Sequence, residues 1–254
     1  MTHSVISLGL GLGGGKASTS SGRLAGGGAL DNQYSISVDG SDDFIDCGDD
    51  SSLAPANITI SLWIKVSGSI SGGPRYILTK FGAHYGSIHL RYTSGGRFNF
   101  FLAFGVFGAH VQGDFPTAVT LTDWHHVALT YDGSYIKGYV DGSEDYSASE
   151  SRSLYYTEDG SDGTSLVIGK GKYTPYTEGL IDEVSWFSSA LSASDITAMY
   201  NDGVPTDISS LNPVSWWRMG DNDGGSGTTI TDQGSGGNDG TLTNGPTFSS
   251  TVPS

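Results

Sequence analysis

DWHHVALTYDG, residues 123–133, and SYIKGYVDG, residues 134–142, form the stretch that decides the fold of this chain. Val127, Leu129 and Tyr131 recur at every second position, which places their side chains on one face of a strand. The two Asp-Gly pairs favour the turns with positive φ that join antiparallel strands. The stretch therefore predicts a β-hairpin that ends in a second tight turn.

The same β signal continues on both sides of this hairpin. Apolar residues occupy every second position from Ile58 to Val66 and again from Phe98 to Phe104. Shorter apolar segments follow at Leu166–Gly169 and Leu180–Phe187. Turn residues, including many of the 39 glycines, separate the segments. This pattern is typical of an all-β chain, and it predicts an antiparallel jelly-roll β-sandwich.

One segment carries a helical signal instead. Ser192 and Asp195 resemble a capping box with Asp in place of Glu, and Ile196 and Met199 follow at helical spacing. Gly203 occupies the place where a C-cap glycine is expected. We expect one short helix near residues 192–201.

The two ends of the chain differ from its middle. Residues 1–30 hold nine glycines, which predicts a flexible N-terminal arm before a domain of residues 31–254. The C-terminal stretch fits either a disordered tail or strands joined by a long loop. Adjacent Trp216 and Trp217 favour an ordered segment, because each tryptophan can bury about 150–250 Å². We expect residues 213–254 to close the sandwich.

Charge and composition exclude several classes of function. The formal net charge is −15, so the chain repels phosphate backbones and is not expected to bind nucleic acid. No stretch reaches the roughly 18–20 apolar residues that a membrane-spanning helix needs, so no membrane insertion is expected. Cys47 is the single cysteine, which excludes an intramolecular disulfide, and we expect it to be buried and inert. The N-terminus lacks the basic region of a secretory signal.

Four segments in combination resemble the laminin-G-like, concanavalin A-like jelly-roll domain. They are the 123–142 hairpin, Asn57–Lys65, Val38–Phe44, and Gly179–Val184 with the following ALSA motif. The resemblance covers roughly residues 30–203 and implies a lectin-like β-sandwich. The segment SWWRM at 215–219 looks like one that usually precedes this domain, so residues 213–254 resemble a permuted closing segment. The glycine-leucine leader and the tail are also similar to structural proteins of tailed bacteriophages.

Glucanases of this superfamily carry alternating acids on one strand, which act as general acid and nucleophile. Here Asp182 and Glu183 are adjacent, so we expect them to face opposite sides of a strand. His125 and His126 are also adjacent, and by the same argument they cannot share a metal in the way that histidines at i, i+2 do. No catalytic residue is assigned, and we expect the protein not to be an enzyme.

The resemblance implies a structural calcium ion between the first and last strands. Ca²⁺ prefers six to eight oxygen ligands from carboxylates and carbonyls. Asp39, Asp43 and Asp182 are the expected ligands, and the alternative is that these acids form turns or solvated charges. Asp221 belongs to another acidic loop, for which a turn is the simpler interpretation.

Exposed aromatic rings would provide a glycan site, since sugar rings stack on them. Tyr85, Tyr173 and Tyr176 lie in expected loops or strand ends and are the candidate glycan-binding residues. The alternative is that each packs on a sheet or at a subunit contact.

These observations favour a non-enzymatic virion protein, either structural or adhesive, such as a capsid decoration, tail or fibre component that binds glycans. Its partners would be other virion proteins, copies of itself and cell-surface glycans. The alternative is a secreted, extracellular carbohydrate-binding module, and an inactive or divergent glucanase is third.

Overall fold

A computed structural model describes residues 30–67, 73–81, 87–105, 109–156, 164–171 and 176–254. All but the last residue of the predicted arm, residues 1–30, lies outside the described residues, and the arm stays a prediction. The described residues form sixteen strands and one α-helix. The strands are β1 Ser35–Asp39, β2 Phe44–Asp46, β3 Ile58–Val66, β4 Arg75–Lys80, β5 Ile88–Tyr92, β6 Arg97–Ala103, β7 His110–Ala118, β8 His125–Tyr131, β9 Tyr135–Val140, β10 Ser143–Ser149, β11 Leu166–Ile168, β12 Glu178–Phe187, β13 Ser215–Trp217, β14 Thr229–Ile230, β15 Gly240–Thr243 and β16 Thr247–Ser249.

The strands form two antiparallel sheets that pack face to face. Sheet A has the order β10-β9-β8-β3-β12-β1-β16, with β13 also paired to β12. Sheet B has the order β14-β15-β2-β11-β4-β5-β6-β7. The prediction of an all-β antiparallel sandwich with one short helix is confirmed.

The quoted hairpin forms as its side-chain pattern requires. Val127 pairs with Val140, and Tyr131 pairs with Ile136 across β8 and β9. Gly133 has a φ of 84°, in the left-handed region that glycine adopts readily. The inward side chains of these strands join one large apolar core between the sheets. Burial of that surface is the main stabilising contribution to the sandwich.

The helix α1 spans Ala193–Tyr200 and lies on the outer face of sheet A. The predicted capping box is present, with Ser192 and Asp195 bonded to each other's backbone N–H. The predicted C-cap is wrong. Asn201, with a φ of 45°, caps the helix through its N–H to the Thr197 carbonyl, because asparagine tolerates the left-handed region. No described helix is long and apolar enough to cross a membrane.

The C-terminal residues add short strands to both sheets. β13 and β16 join sheet A, and β14 and β15 join sheet B. Trp217 is fully buried in the core between the sheets, whereas Trp216 packs on the outer face of sheet A beside α1. β1 and β13 pair one after the other with the same edge of β12. The first and last parts of the domain therefore meet on that strand.

Candidate functional site

The outer face of sheet B, which is turned away from sheet A, carries a concentration of rings and polar groups. In β5 and β6, Leu90 and Phe100 point into the core, so the alternate residues point outward. Two sets of outward side chains are defined by their contacts. The ring row is Tyr76, His89, Phe101 and His110, and the polar row is Arg91, Asn99 and Asp114.

The ring row crosses the four strands β4–β7. The ring centroids of Tyr76 and His89 lie 5.1 Å apart, and those of His89 and Phe101 lie 5.0 Å apart. Phe101 stacks on His110 at 4.7 Å with 22° between the ring planes. His89 and Phe101 in the middle are buried, while Tyr76 and His110 at the ends are half-buried. The end rings therefore retain surface that can contact a ligand.

The polar row runs parallel to the ring row across β5, β6 and β7. The Arg91 guanidinium donates to Asn99 Oδ1, and Asn99 Nδ2 donates to Asp114 Oδ1 at 2.5 Å. The Arg91 guanidinium also lies 5.6 Å from the centroid of the Tyr76 ring. These contacts hold the two rows against each other, and they orient the Asn99 amide.

Several polar atoms on this face are buried without a hydrogen-bond partner in the part of the chain that the structure describes. They are Thr79 Oγ1, Ser87 Oγ, Arg91 Nε and His110 Nδ1. Buried polar atoms are nearly always bonded, to protein, water or ligand. These four atoms lie beneath the surface, and the polar groups that this face presents to a bound molecule are the exposed Asp114 carboxylate and the half-buried side chains of Arg91 and Asn99.

The outer face of sheet A is organised around a β-bulge in β12. Asp182 pairs with Trp63 and Ser185 with Ser61, so three steps on β12 match two on β3. Glu183 adopts a φ of 47°, which costs a non-glycine residue roughly 1–2 kcal/mol. The prediction that Asp182 and Glu183 face opposite sides is wrong, because the bulge turns both carboxyl groups outward.

These two carboxyl groups are buried by the segments that precede β1 and follow β13. They belong to a hydrogen-bonded network that we name the clasp (Asn32, Asp182, Glu183, Arg218 and Asp221). Asn32 donates to Asp182 at 3.0 Å, and Arg218 donates to Glu183 at 3.1 Å and to Asp221 at 2.8 Å. Asp221 also accepts the backbone N–H groups of residues 33 and 34. Burial raises the pKa of Asp182 well above its usual value and raises the pKa of Glu183 to about 7.

A narrow cleft between sheet A and α1, lined also by Glu183 and Met199, contains a serine–histidine pair. Ser61 Oγ and His126 Nε2 lie 2.7 Å apart. Burial lowers the pKa of His126 to about 4. Among the described residues no carboxylate bonds to His126 Nδ1, so the pair lacks the third group that orients a catalytic histidine. His125 faces the other side of the strand, against Phe98, and bonds to Asp141 at 2.8 Å.

The predicted calcium ligands fall into two places. The carboxylate oxygens of Asp39, Asp42 and Asp43 lie within 4.8 Å of one another. Burial and the neighbouring Asp39 carboxylate raise the pKa of Asp43. Asp182 is not brought to this group, since it follows Ile181, which pairs with Ile36. About four residues, or roughly 13 Å along the strand, separate it from Asp39.

Of the predicted glycan residues, Tyr85 and Tyr173 lie outside the described residues. Tyr176 is half-buried and precedes Thr177, whose hydroxyl donates to the Tyr76 carbonyl at 2.7 Å. It therefore lies close to one end of the ring row.

Cys47 is 2% exposed, and burial raises the pKa of its thiol well above the usual range, as expected of an inert cysteine.

The rows on sheet B were not found from the sequence. The members of the two rows lie on four strands between residues 76 and 114, and each alone is an ordinary strand residue. The alternation of Phe98, Phe100 and Phe104 marks the inner face, and nothing in the sequence indicates that the outward Phe101 belongs to a row of rings. Only the pairing of four strands brings the outward residues together.

The comparisons with known proteins agree on the fold. Among solved structures, a Bacteroides ovatus protein regarded as carbohydrate-binding matches with a TM-score of 0.65 and 18% identity, over 88% of this chain and 62% of that one. The chain thus spans less than two thirds of that protein. The CBM40 domain of Ruminococcus gnavus IT-sialidase, bound to α2,3 sialyllactose, matches at 0.53 and 17%, over 65% of this chain and 96% of that one. The heptameric SAP-like pentraxin of Limulus polyphemus matches at 0.52 and 17%, over 68% and 84%.

No curated protein matches the chain in sequence. The family model Laminin_G_3, which describes the concanavalin A-like lectin/glucanases superfamily, matches residues 39–197. This span exceeds half of the 254 residues and includes both the quoted hairpin and the bulged strand β12. The chain therefore belongs to the concanavalin A-like lectin/glucanases superfamily.

Proposed function

We propose that this protein is a lectin-like carbohydrate-binding domain and that the outer face of sheet B is its binding surface. The observation that carries the proposal is the ring row, whose end rings Tyr76 and His110 are only half-buried, directly beside the partly exposed side chains of the polar row. Sugars offer many hydroxyl groups around an apolar ring face, and they therefore match a surface that combines rings with donors and acceptors.

Binding would use the two rows in different ways. The half-buried rings of Tyr76 and His110 would contact the apolar face of a sugar ring. The polar row would exchange hydrogen bonds with hydroxyl groups, because the exposed Asp114 carboxylate accepts, while the half-buried Arg91 guanidinium and Asn99 amide donate. The similarity to carbohydrate-binding proteins of the same fold supports this assignment.

The experiment is calorimetric titration of the full chain with a panel of neutral and acidic oligosaccharides. Asn99→Ala removes the central member of the polar row and should weaken binding by about tenfold, the effect of losing a hydrogen bond to a charged group. Gln233→Ala removes an exposed carboxamide elsewhere and should leave the affinity unchanged. Failure of every sugar to bind, or equal losses in both variants, would refute the proposal.

We propose further that the domain is not an enzyme. Asp182 is 0% exposed, Glu183 at the wall of the narrow cleft is 6% exposed, and both are engaged by groups of the clasp, so neither is free to act on a polysaccharide. The test is release of reducing sugar from laminarin. Activity that is lost in the double variant Asp182→Asn/Glu183→Gln, while a folded state persists, would restore the glucanase interpretation.

For the biological setting we propose a virion, with this domain as an adhesive or structural component, and a secreted carbohydrate-binding module as the alternative. The support is the glycine-rich leader and the resemblance to phage structural proteins. Light scattering of the chain with and without residues 1–30 tests the role of the arm in assembly. Sugar binding by a monomer that never assembles would favour the secreted module.

We also propose that Asp39, Asp42 and Asp43 hold a structural calcium ion. Their oxygens are close enough to share one cation, and oxygen donors are those that Ca²⁺ prefers. A bound ion would relieve the repulsion that contributes to the raised pKa of Asp43.

A further inference from the structure

The strands beneath the proposed binding face differ in charge from the rest of the chain. β4–β7 contain four basic residues and one acidic residue, a net charge of 4 − 1 = +3. The whole chain has 12 basic and 27 acidic residues, a net charge of −15. The five charged residues of these strands are Arg75, Lys80, Arg91, Arg97 and Asp114.

Two of the four cations lie on the outer face itself. Arg91 belongs to the polar row, and Arg97 is exposed two residues before Asn99, on the same side of β6. Asp114 is the one acid of these strands, and its carboxylate already accepts from Asn99 at 2.5 Å. Lys80 points toward the core and is 1% exposed. The face therefore presents two guanidinium groups and one engaged carboxylate.

Guanidinium groups suit carboxylates because their donors form a planar fork that can make two parallel hydrogen bonds. Charges beyond about 8 Å are largely screened at physiological salt. The Asp145 carboxylate of β10 reaches β7, but it accepts hydrogen bonds from the Thr117 N–H and hydroxyl at 2.9 and 2.6 Å. The local charges of the face therefore decide which ligands it favours.

We infer that the outer face of sheet B binds carboxylate-bearing glycans in preference to their neutral counterparts, an inference that rests on the proposed carbohydrate-binding function. A sialylated glycan and a uronic-acid glycan share this chemistry. Either would place its carboxylate against Arg97 and its hydroxyl groups against the polar row.

The test is titration of the full chain with matched pairs of sugars in buffer that contains EDTA, so that no calcium bridge contributes. One pair is 3′-sialyllactose and lactose, and the other is an oligogalacturonide and its methyl ester. We expect the acidic member of at least one pair to bind about tenfold more tightly, and the pair that shows this identifies the source of the carboxylate. The preference should fall as salt rises.

Arg97→Gln should remove most of the preference while retaining binding of the neutral sugar, since the side chain is exposed and its loss leaves the core intact. Lys137→Gln, on β9 in sheet A, is the matched control and should keep the preference. Equal or tighter binding of the neutral sugars, or an equal loss for acidic and neutral sugars in Arg97→Gln, would overturn this inference and leave the proposed function standing. Binding of no sugar at all would overturn both.

Discussion

The two outer faces of this sandwich differ in how far the chain itself covers and bonds their polar side chains. On sheet A, helix α1 and the C-terminal segment cover the strands, and the acids of the bulge are paired by Asn32, Trp216 and Arg218. On sheet B, Tyr76, His110 and Asp114 of the two rows keep exposed surface. Buried acids cost free energy unless they are bonded, so the acids of the first face are paired within the chain. The second face is suited to a partner from outside.

The largest expected effect is a loss of folding stability when the clasp on the outer face of sheet A is changed. Arg218→Met should destabilise the protein by about 3–5 kcal/mol, because it leaves the carboxyl groups of Glu183 and Asp221 without their cation. Lys137→Met is the control, since its ion pair with Glu144 is about one third exposed on both sides and should contribute little to stability. Urea unfolding measures both. Equal losses would mean that the clasp is no stronger than a surface ion pair.

The next effect is a pH dependence of the same face. Burial raises the pKa of Glu183 to about 7, so between pH 4.5 and 7 the folded state binds more protons than the unfolded state, and Glu183 favours folding less as pH rises. Glu183→Gln removes this loss, so its stability relative to the wild type should increase as pH rises through this window.

The comparison must be made as a difference between variant and wild type at each pH. Burial lowers the pKa of His126 to about 4, and this histidine makes the opposite contribution: it favours folding more as pH rises from 4 to 6.5. Subtracting the two unfolding curves cancels that contribution. A constant difference from pH 4 to 8 would show that Glu183 titrates normally.

A smaller effect is expected on the open face, and it should concern binding rather than stability. His110→Ala shortens the ring row at its half-buried end and should weaken sugar binding about fivefold to tenfold, or roughly 1 kcal/mol. Tyr135→Ala removes a ring that is 50% exposed on sheet A and should leave affinity unchanged. Calorimetry and a thermal melt of each variant separate the two effects, and the distinction between the faces fails if both variants bind alike.

The smallest expected effect is stabilisation by Ca²⁺ at the edge between the sheets, where Asp39, Asp42 and Asp43 meet. Millimolar Ca²⁺ should stabilise the protein by about 1 kcal/mol if its affinity resembles that of weak extracellular sites. Asp43→Asn should be more stable than the wild type in EDTA, since repulsion falls, and should lose the response to Ca²⁺. Thermal melts with Ca²⁺, Mg²⁺ and EDTA measure this, and identical responses in both proteins would exclude the site.

The regular parts of the fold were predictable because their signals are local. Alternation in Ile58–Val66 and the Asp-Gly turn at residues 132–133 specify strands and a hairpin from neighbouring residues alone. The capping box at Ser192 is equally local. The bulge at Glu183 was missed, because nothing in the five residues around it indicates a left-handed conformation. Its partners, Trp216 and Arg218, lie more than thirty positions away.

By itself, the sequence determined that this is an antiparallel β-sandwich with a short helix, because hydrophobic period and turn chemistry act over a few residues. Only the tertiary structure decided which acids are buried together and which rings line up. Tyr76, His89, Phe101 and His110 become one row through the register of four strands. Strand register depends on long-range packing, and a shift of one residue would exchange the inner and outer faces.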